Sequence, residues 1–542
     1  MTWTTIQKIG DYGIIYDTPA HLTPIGAWSD ANNVGFRNGR VFKSRGTQKR
    51  YPQVTSGAIW GINQVVDIQS YWIYADTDDL FVVSGNVAPA SITRDSAQGG
   101  NYSTSRNGLW NGGNLSGITV LNNGADIPQT FRPGVDSQAQ NLENWPPDLR
   151  CDIMAVFGYF LVACNLKDGT DPRRPNRVRW SHPALPGRLP ISWAIDDPTV
   201  ESGETDLPDR RPGDIVDAVV LRDWLLLYER NAIWGMRFVG GNEVFSFTNL
   251  FPTLGAMTTN CVAAFDHRGG QYHCVFTGDN VIVHDGRSIH NSLDKKVVRQ
   301  IARELSENNW RRSFVVNMPS LNENWICYPV GGSSSPNRAM VWNYLDNTVS
   351  PIDLYNVNWI SLGIVSDTVD RGSWDSFPVG EIWDDQALAW GASTEEQQNI
   401  RPLGFSEDVN NTIRQMGTTT SVNGEPTSEV LEKRDIAIVP NRQTRDPIRD
   451  YESRKQLKAI RFESSGVPLN ISIAATENIG EEPNYGNPHV IKAREDESFQ
   501  FLDNELHEIV EGRAFHMKIE VSGRGHWELH GFSMDIERIG DY

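Results

Sequence analysis

Residues 27–46 read AWSDANNVGFRNGRVFKSRG. Val34 and Phe36 alternate with Gly35 and Arg37, Asn38-Gly39 follows, and Val41, Lys43 and Arg45 resume the alternation up to Gly46. Asn-Gly supplies the two positive-φ residues of a type I′ turn, whose twist matches the strands on either side, so the stretch predicts a β-hairpin. Alone it is an ordinary surface hairpin, and its weight comes from the company it keeps in the chain.

That company is rich in turns. The 542 residues include 47 Gly, 29 Pro and 18 Trp, with few long apolar helical runs, which predicts many short strands joined by loops and a mainly β chain. A hydrophobic fraction of 39% is enough for sizeable cores. The length exceeds one compact core and predicts roughly two to four domains unless a repeat architecture absorbs it.

A repeat is visible: an apolar strand, a turn, an aromatic-led strand and a Gly-containing end. It recurs at 65–85, 152–166, 216–240, 262–286 and 314–332. Taking Trp72, Phe160, Trp224, Tyr272 and Trp325 as equivalent, the intervals are 88, 64, 48 and 53 residues. A propeller blade takes roughly 40–50 residues, so the first two intervals require insertions. A further unit at 357–404 carries Trp359, Trp374, Trp383 and Trp390. The expectation is a β-propeller body of about six irregular blades with long loop insertions, followed by a C-terminal antiparallel β module.

The domain scheme that follows is an N-terminal hairpin segment (1–55), a propeller (56–405) with insertions at 84–148 and 167–213, a linker or extended excursion (406–455) and a sandwich-like module (456–542). The insertions are marked by composition, Gly, Asn, Ser and Gln in the first and Pro, Arg and Asp in the second. In the last module Ile471 and Ile473 alternate with Ser472, and Phe515, Met517, Ile519 and Val521 alternate with polar residues, the pattern of a half-buried sheet. One helix is predicted over 294–308, where Val297, Val298, Ile301 and Leu305 form an apolar stripe.

Charge and motifs narrow the function. With 49 Lys and Arg against 68 Asp and Glu the formal charge is −19, which offers no general attraction to nucleic acid or anionic lipid. The start lacks an apolar stretch of signal-peptide length and the longest apolar run, 155–164, is far short of a membrane span, so no export signal or membrane anchor is expected. Five cysteines make no disulfide framework, and without a CxxC pair they are read as reduced thiols rather than zinc ligands.

The chain contains no GxxxxGK[ST], HExxH, GxSxG or DxDxDG signature, so no catalytic, metal or cofactor site is predicted and the chain is read as a non-enzyme. Looser groupings have ordinary readings. Asp266-His267 and His284-Asp285 suit turns as well as proton transfer. The acidic run Asp196, Asp197, Glu201, Glu204, Asp206 and Asp209 suits a solvated loop better than a cation site. Arg173, Arg174, Arg177 and Arg179, the best basic cluster, are expected to pair with carboxylates rather than phosphate. The tryptophans fit packing between sheets better than a sugar-binding surface.

Three stretches together resemble the tail nozzle proteins of short-tailed bacteriophages, a group that includes tail tubular protein B and the packaged-DNA stabilisation (tail hub) proteins. The first is the hairpin, with Trp28, Asn33-Val34, Phe36, Asn38-Gly39 and Gly46 in a "W…NV.F.(D/N)G…G" pattern. The second is 255–301, Gly-punctuated strands followed by a short helix. The third is 322–354, in which a strand led by Trp325 and a later VWNY…NT strand bearing Trp342 face each other; the C-terminal HWELHGFSMDIE also fits.

The resemblance implies a structural virion protein, a propeller assembling as a homo-hexameric ring at the end of the tail. Such a ring would dock on tail adaptor (head-to-tail connector) proteins, carry tail fibre or spike proteins, and pass packaged double-stranded DNA through an acidic lumen without sequence-specific binding, closing on the genome and opening for ejection. It would be made in the bacterial host cytoplasm and reside in the virion tail. The competing expectation is a carbohydrate-binding or carbohydrate-cleaving propeller; a weaker one is a propeller scaffold for other proteins inside a cell.

Overall fold

The computed structural model describes residues 3–51, 57–67, 69–85, 88–103, 109–208, 213–290, 293, 296–365, 400–407, 413–417, 419–422, 424–441, 446–491 and 505–541. The chain divides into two units, Lys49–Ala264 with Asn356–Met416, and Met1–Gln48 with Phe265–Tyr355 and Gly417–Tyr542.

Among the described residues, seven sheets are four-stranded and antiparallel: I (60–91), II (111–141), III (149–206), IV (215–251), V (262–290), VI (314–353) and VII (357–416, with Thr47–Lys49 as its fourth strand). In I to VI the strands pair in chain order, the up-and-down arrangement of a propeller blade, and the body of the chain is a β-propeller. The five aromatic residues taken as equivalent, Trp72, Phe160, Trp224, Tyr272 and Trp325, all lie on second strands of their sheets.

The count differs from about six because the expected insertion 84–148 contains sheet II. Its strands Asn111–Leu115, Ile118–Asn122, Gln129–Phe131 and Gln140–Asn141 escape the apolar pattern because they bury polar groups in hydrogen bonds: Asn122 Nδ2 donates to Cys151 O at 3.0 Å and Gln129 Nε2 to Asn141 Oδ1 at 2.7 Å. The expected insertion 167–213 likewise supplies the third and fourth strands of sheet III, Arg174–Trp180 and Gly203–Asp206. Of the Trp residues assigned to the last unit, Trp359 lies on the first strand of sheet VII, while Trp374, Trp383 and Trp390 fall outside the described residues.

Sheets I to IV and the first three strands of VII belong to one unit, where first strands pack neighbour to neighbour and run in one direction. Asn358 Nδ2 donates to Ala58 O (3.2 Å) and Ile364 N to Asn63 Oδ1 (3.2 Å), so VII and I advance together; Met154 N donates to Asn111 Oδ1 (2.8 Å) in the same sense between II and III. Aromatic side chains fill the gaps, as where Trp72 and Tyr74 of sheet I lie 6.1 and 6.3 Å from Phe405 of sheet VII.

The other unit holds sheets V and VI and a two-sheet module. Its strands β1 (Trp3–Gln7), β2 (Asp30–Asn32), β3 (Val34–Arg37) and β4 (Arg40–Lys43) come from the N-terminus. One sheet orders β3, β4, Trp527–Asp541, Ser453–Gly466 and Glu505–Gly512, with β1 also paired to Trp527–Asp541; the other orders β2, Thr427–Ile436, Ala514–Gly523, Leu469–Thr476 and His489–Ile491. Their facing residues form one core, including Trp28, Val34, Phe36, Leu457, Phe515 and Trp527.

The sandwich is therefore not confined to 456–542, and 406–455 is not a linker, since Thr427–Ile436 is a central strand. The helix is also shorter than its stripe: α1 spans Val298–Glu304, because Leu305 bridges to Val330 and leaves the helical path. All five cysteines are buried and free; Cys151 and Cys164 sit on paired strands but oppose Leu166 and Ile153.

Candidate functional site

The hairpin forms as its turn chemistry requires. β3 and β4 pair with Arg37 opposite Arg40, and Asn38 and Gly39 take φ +51° and +75°. Val34, Phe36, Val41 and Lys43 face the sandwich core, so the alternation holds even where it buries a charge. Gly46 has no room for a side chain: a Cβ there would stand 2.0 Å from Ser421 O.

Sheet VI receives the hairpin. Asn33 stands at φ +57°, its Nδ2 donates to Asp353 Oδ2 (2.8 Å) and Ser428 O (2.9 Å), and its Oδ1 accepts from Asp353 N (2.8 Å). Thr348 Oγ1 donates to Phe36 O at 3.1 Å, and Asn38 N to Asp346 Oδ2 at 3.0 Å. Trp28, buried, donates from Nε1 to Ile9 O at 2.7 Å; Trp342 donates to Asn347 Oδ1 at 3.1 Å and Trp325 to Glu323 Oε2 at 3.0 Å. The first and third resembling stretches, about three hundred residues apart, are thus one joint. All eight singled-out residues, Trp28, Asn33, Phe36, Asn38, Gly39, Gly46, Trp325 and Trp342, lie in it or in the cores beside it.

Between hairpin and sheet VI runs a cleft lined by Arg37, Phe42, Arg45, Glu323 and Trp325. Arg37 Nη2 donates to Leu321 O (2.5 Å) and Glu323 Oε1 (3.2 Å). Burial pushes the Glu323 carboxyl up, against the pull of the Trp325 hydrogen bond and the Arg37 charge.

The sequence pattern concealed three buried charges. Lys43 Nζ lies 3.3 Å from Glu429 Oε1 with both side chains 1% exposed, and donates to Gly523 O at 2.5 Å. Burial raises the Glu429 carboxyl although Thr427, Lys43 and Trp527 favour its charged form. Lys433 Nζ donates to Ala27 O at 2.5 Å and stands 5.7 Å from the Trp28 ring; burial, with Arg449 nearby, brings its ammonium down to about 7. Lys43 alone had a signal, its place on the apolar phase of β4.

The looser groupings resolve as structure. Asp285 accepts from Arg287 N (2.9 Å) and Ser288 N (2.7 Å) in a turn, while His284 is buried against His273, rings 5.7 Å apart, and burial lowers it to about 3. Asp266 is exposed, and His267 packs on Tyr344 at 5.4 Å. The basic cluster pairs with the acidic run: Arg177 contacts Glu204 and Asp206, each at 2.6 Å, Arg179 approaches Glu204 at 3.5 Å, Arg174 approaches Asp206 at 3.6 Å, and Arg173 holds Asp152 at 2.8 Å. Asp209 lies outside the described residues. Among the described residues no group of three His, Cys, Asp or Glu is arranged to hold a metal ion, no helix is long and apolar enough to cross a membrane, and every Trp is buried or half-buried.

No protein-family model matches the sequence, and no curated protein matches it. Among solved structures the chain is similar to PorZ, a surface component of the type IX secretion system of Porphyromonas gingivalis, at 10% identity and TM-score 0.34 over 72% of this chain and 43% of that one. It thus spans less than half of the PorZ chain. It is also similar to the WD40 β-propeller domain of Doa1 (8% identity, TM-score 0.36, 69% of this chain and 97% of that one) and to the WD40 domain of Toxoplasma gondii coronin (9%, 0.35, 69% and 84%). These likenesses carry no argument about function.

Proposed function

We propose that the chain is a structural subunit of a virion tail, forming the homo-hexameric nozzle of a short-tailed phage that extends the DNA channel, holds the genome and opens for ejection. One observation carries the reading: two of the three stretches that resemble nozzle proteins, the Asn-Gly hairpin and the VWNY…NT strand, are built against each other through Asn33–Asp353, Thr348–Phe36 and Asn38–Asp346. Features that recur together in a family make physical sense when they form one joint. The charge of −19 per copy also suits a duct in which DNA must slide, since an acidic wall holds no phosphate and releases no counterion. The hexamer would join adaptor proteins above and fibres or spikes around it.

Negative-stain microscopy of the concentrated protein, and of tails carrying it, tests the reading. Sixfold rings at the tail end are expected; a protein that stays monomeric and never joins a tail overturns it.

A further inference from the structure

In the unit containing sheets I to IV and the first three strands of VII, first strands run side by side in one direction, so every first-to-second-strand turn and every third-to-fourth-strand loop emerges at one end. Asn165 Nδ2, at the other end of sheet III, donates to Ile215 O at the start of sheet IV (3.2 Å), which fixes the same sense there.

The exposed large hydrophobics of this unit gather at that one end. Val65, Val135, Tyr159, Leu185, Phe238 and Ile400 sit there, at least one from each of the five sheets, with exposures from 39% to 73%. Ile191, Ile195 and Val239 lie on the same loops and Val220 near the end of the first strand of sheet IV, and among the described residues none of this unit's exposed large hydrophobics lies elsewhere. Sheets III and IV meet there, Phe238 of IV lying 5.7 Å from Phe160 of III, and within III Ala184 N, next to Leu185, donates to Tyr159 O at 2.8 Å. The opposite end carries an excess of carboxylates, among them Asp78, Asp79, Asp168 and Asp171, beside fewer basic groups such as Arg150, Lys167 and Arg230.

We infer that the apolar end is the surface by which one copy of this chain pairs with a second, end to end; a surface that meets its own copy makes a two-fold pair, so the side-to-side contacts of a ring are separate from it. Charge selects this occupant. The apolar end carries both signs, with Arg188 and the exposed pair Arg237–Asp223 (3.1 Å) on the same turns and loops as Asp196, Asp197 and Glu243, so two copies can pair opposite charges around the buried tips. A lipid surface would have to strip water from those carboxylates without pairing them. The carboxylate-rich end, negative on balance and without exposed large hydrophobics, repels its own copy. With −19 on each copy, association is favoured where apolar area is largest and the carboxylate ends stay apart.

The test is mass photometry of the full chain, comparing wild type with the double variant Leu185→Glu/Phe238→Glu and with Asp171→Lys at the opposite end. Both altered apolar residues are exposed, so folding should persist, checked by circular dichroism. The inference expects self-association weakened at least about tenfold in the double variant and unchanged in Asp171→Lys. A wild-type dimer broken by the double variant would uphold this surface while refuting the ring. A wild-type hexamer that the double variant leaves intact would overturn this surface while leaving the ring standing. A wild-type monomer overturns the inference, as does a double variant that loses thermal stability with no change in mass, which places the apolar end in a contact within the chain.

Discussion

Asn33 and Asp353 hold each other reciprocally across 320 residues of chain: the Asn33 amide donates to the Asp353 carboxylate, and the Asn33 carbonyl oxygen accepts from the Asp353 backbone, both at 2.8 Å. Asn33 also occupies the left-handed region, at φ +57°, which Asn tolerates better than most residues. Two effects therefore separate by substitution. Asn33→Gly keeps the backbone but loses the bonds, leaving Asp353 underpaired, and should cost about 2 kcal/mol. Asn33→Ala adds the backbone strain and should cost about 1 kcal/mol more. Urea unfolding of both variants, with unchanged slope, measures the difference; equal losses would show that the bonds alone matter.

The two motif glycines should differ in severity. Gly39→Val forbids the turn's φ of +75° but meets only Asp11 Oδ1 at 3.1 Å, with Lys8 Cα at 3.5 Å. It should cost roughly 1–3 kcal/mol through strain and leave a folded protein. Gly46→Ala drives a methyl group into Ser421 O at 2.0 Å, where only backbone can yield, and should abolish soluble expression or lower the melting temperature by more than Gly39→Val does. Thermal scans of the pair check the order.

This joint shows what the sequence could and could not reveal. The hairpin is legible because turn chemistry is local: Asn38-Gly39 needs no distant partner to declare itself. The repeat is legible where second strands carry a large aromatic residue, as at Trp224 and Trp325. Sheet II is not, because Asn111, Asn122 and Gln129 are buried by hydrogen bonds that exist only once the neighbouring strands are in place. Thr427–Ile436 looks like linker because Glu429, Glu432 and Lys433 are buried, each satisfied by a residue far away or by its own strand: Lys43 for Glu429, Ala27 for Lys433, and Arg434 for Glu432 at 2.8 Å. A charge pattern cannot announce a core whose counter-charges arrive from the other end of the chain.

The pair Lys43–Glu429 offers a sharper test of that buried chemistry. Removing one partner strands the other in a site 1% exposed, so Lys43→Met or Glu429→Leu alone should cost about 3–5 kcal/mol. The double variant replaces both with apolar volume and should recover most of the loss, although Gly523 O, Thr427 and Trp527 lose a partner each. A double-variant cycle in denaturant gives the coupling. Strictly additive losses would mean that the two charges do not sense each other, contrary to their 3.3 Å separation.

Asp217 makes stability depend on pH in a predictable direction. It is buried in sheet IV, accepting from Ala218 N (2.8 Å) and Asn260 N (3.0 Å), and burial outweighs those bonds to bring its carboxyl up to about 7. Between the ordinary value of 3.8 and about 7 the folded state therefore holds a proton that the unfolded chain releases. The contribution of this group is fully present below 3.8 and is lost as pH rises through about 7, a change on the order of 2–4 kcal/mol. Asp217→Asn removes the charge but keeps only one of the two acceptor oxygens that Ala218 N and Asn260 N use, a loss that is the same at every pH. Subtracting its unfolding free energy from that of the wild type, pH by pH, should give a difference that moves against the wild type from pH 4 to 7 and then levels off. A flat difference would place the Asp217 carboxylate in a setting that stabilises its charge as well as water does.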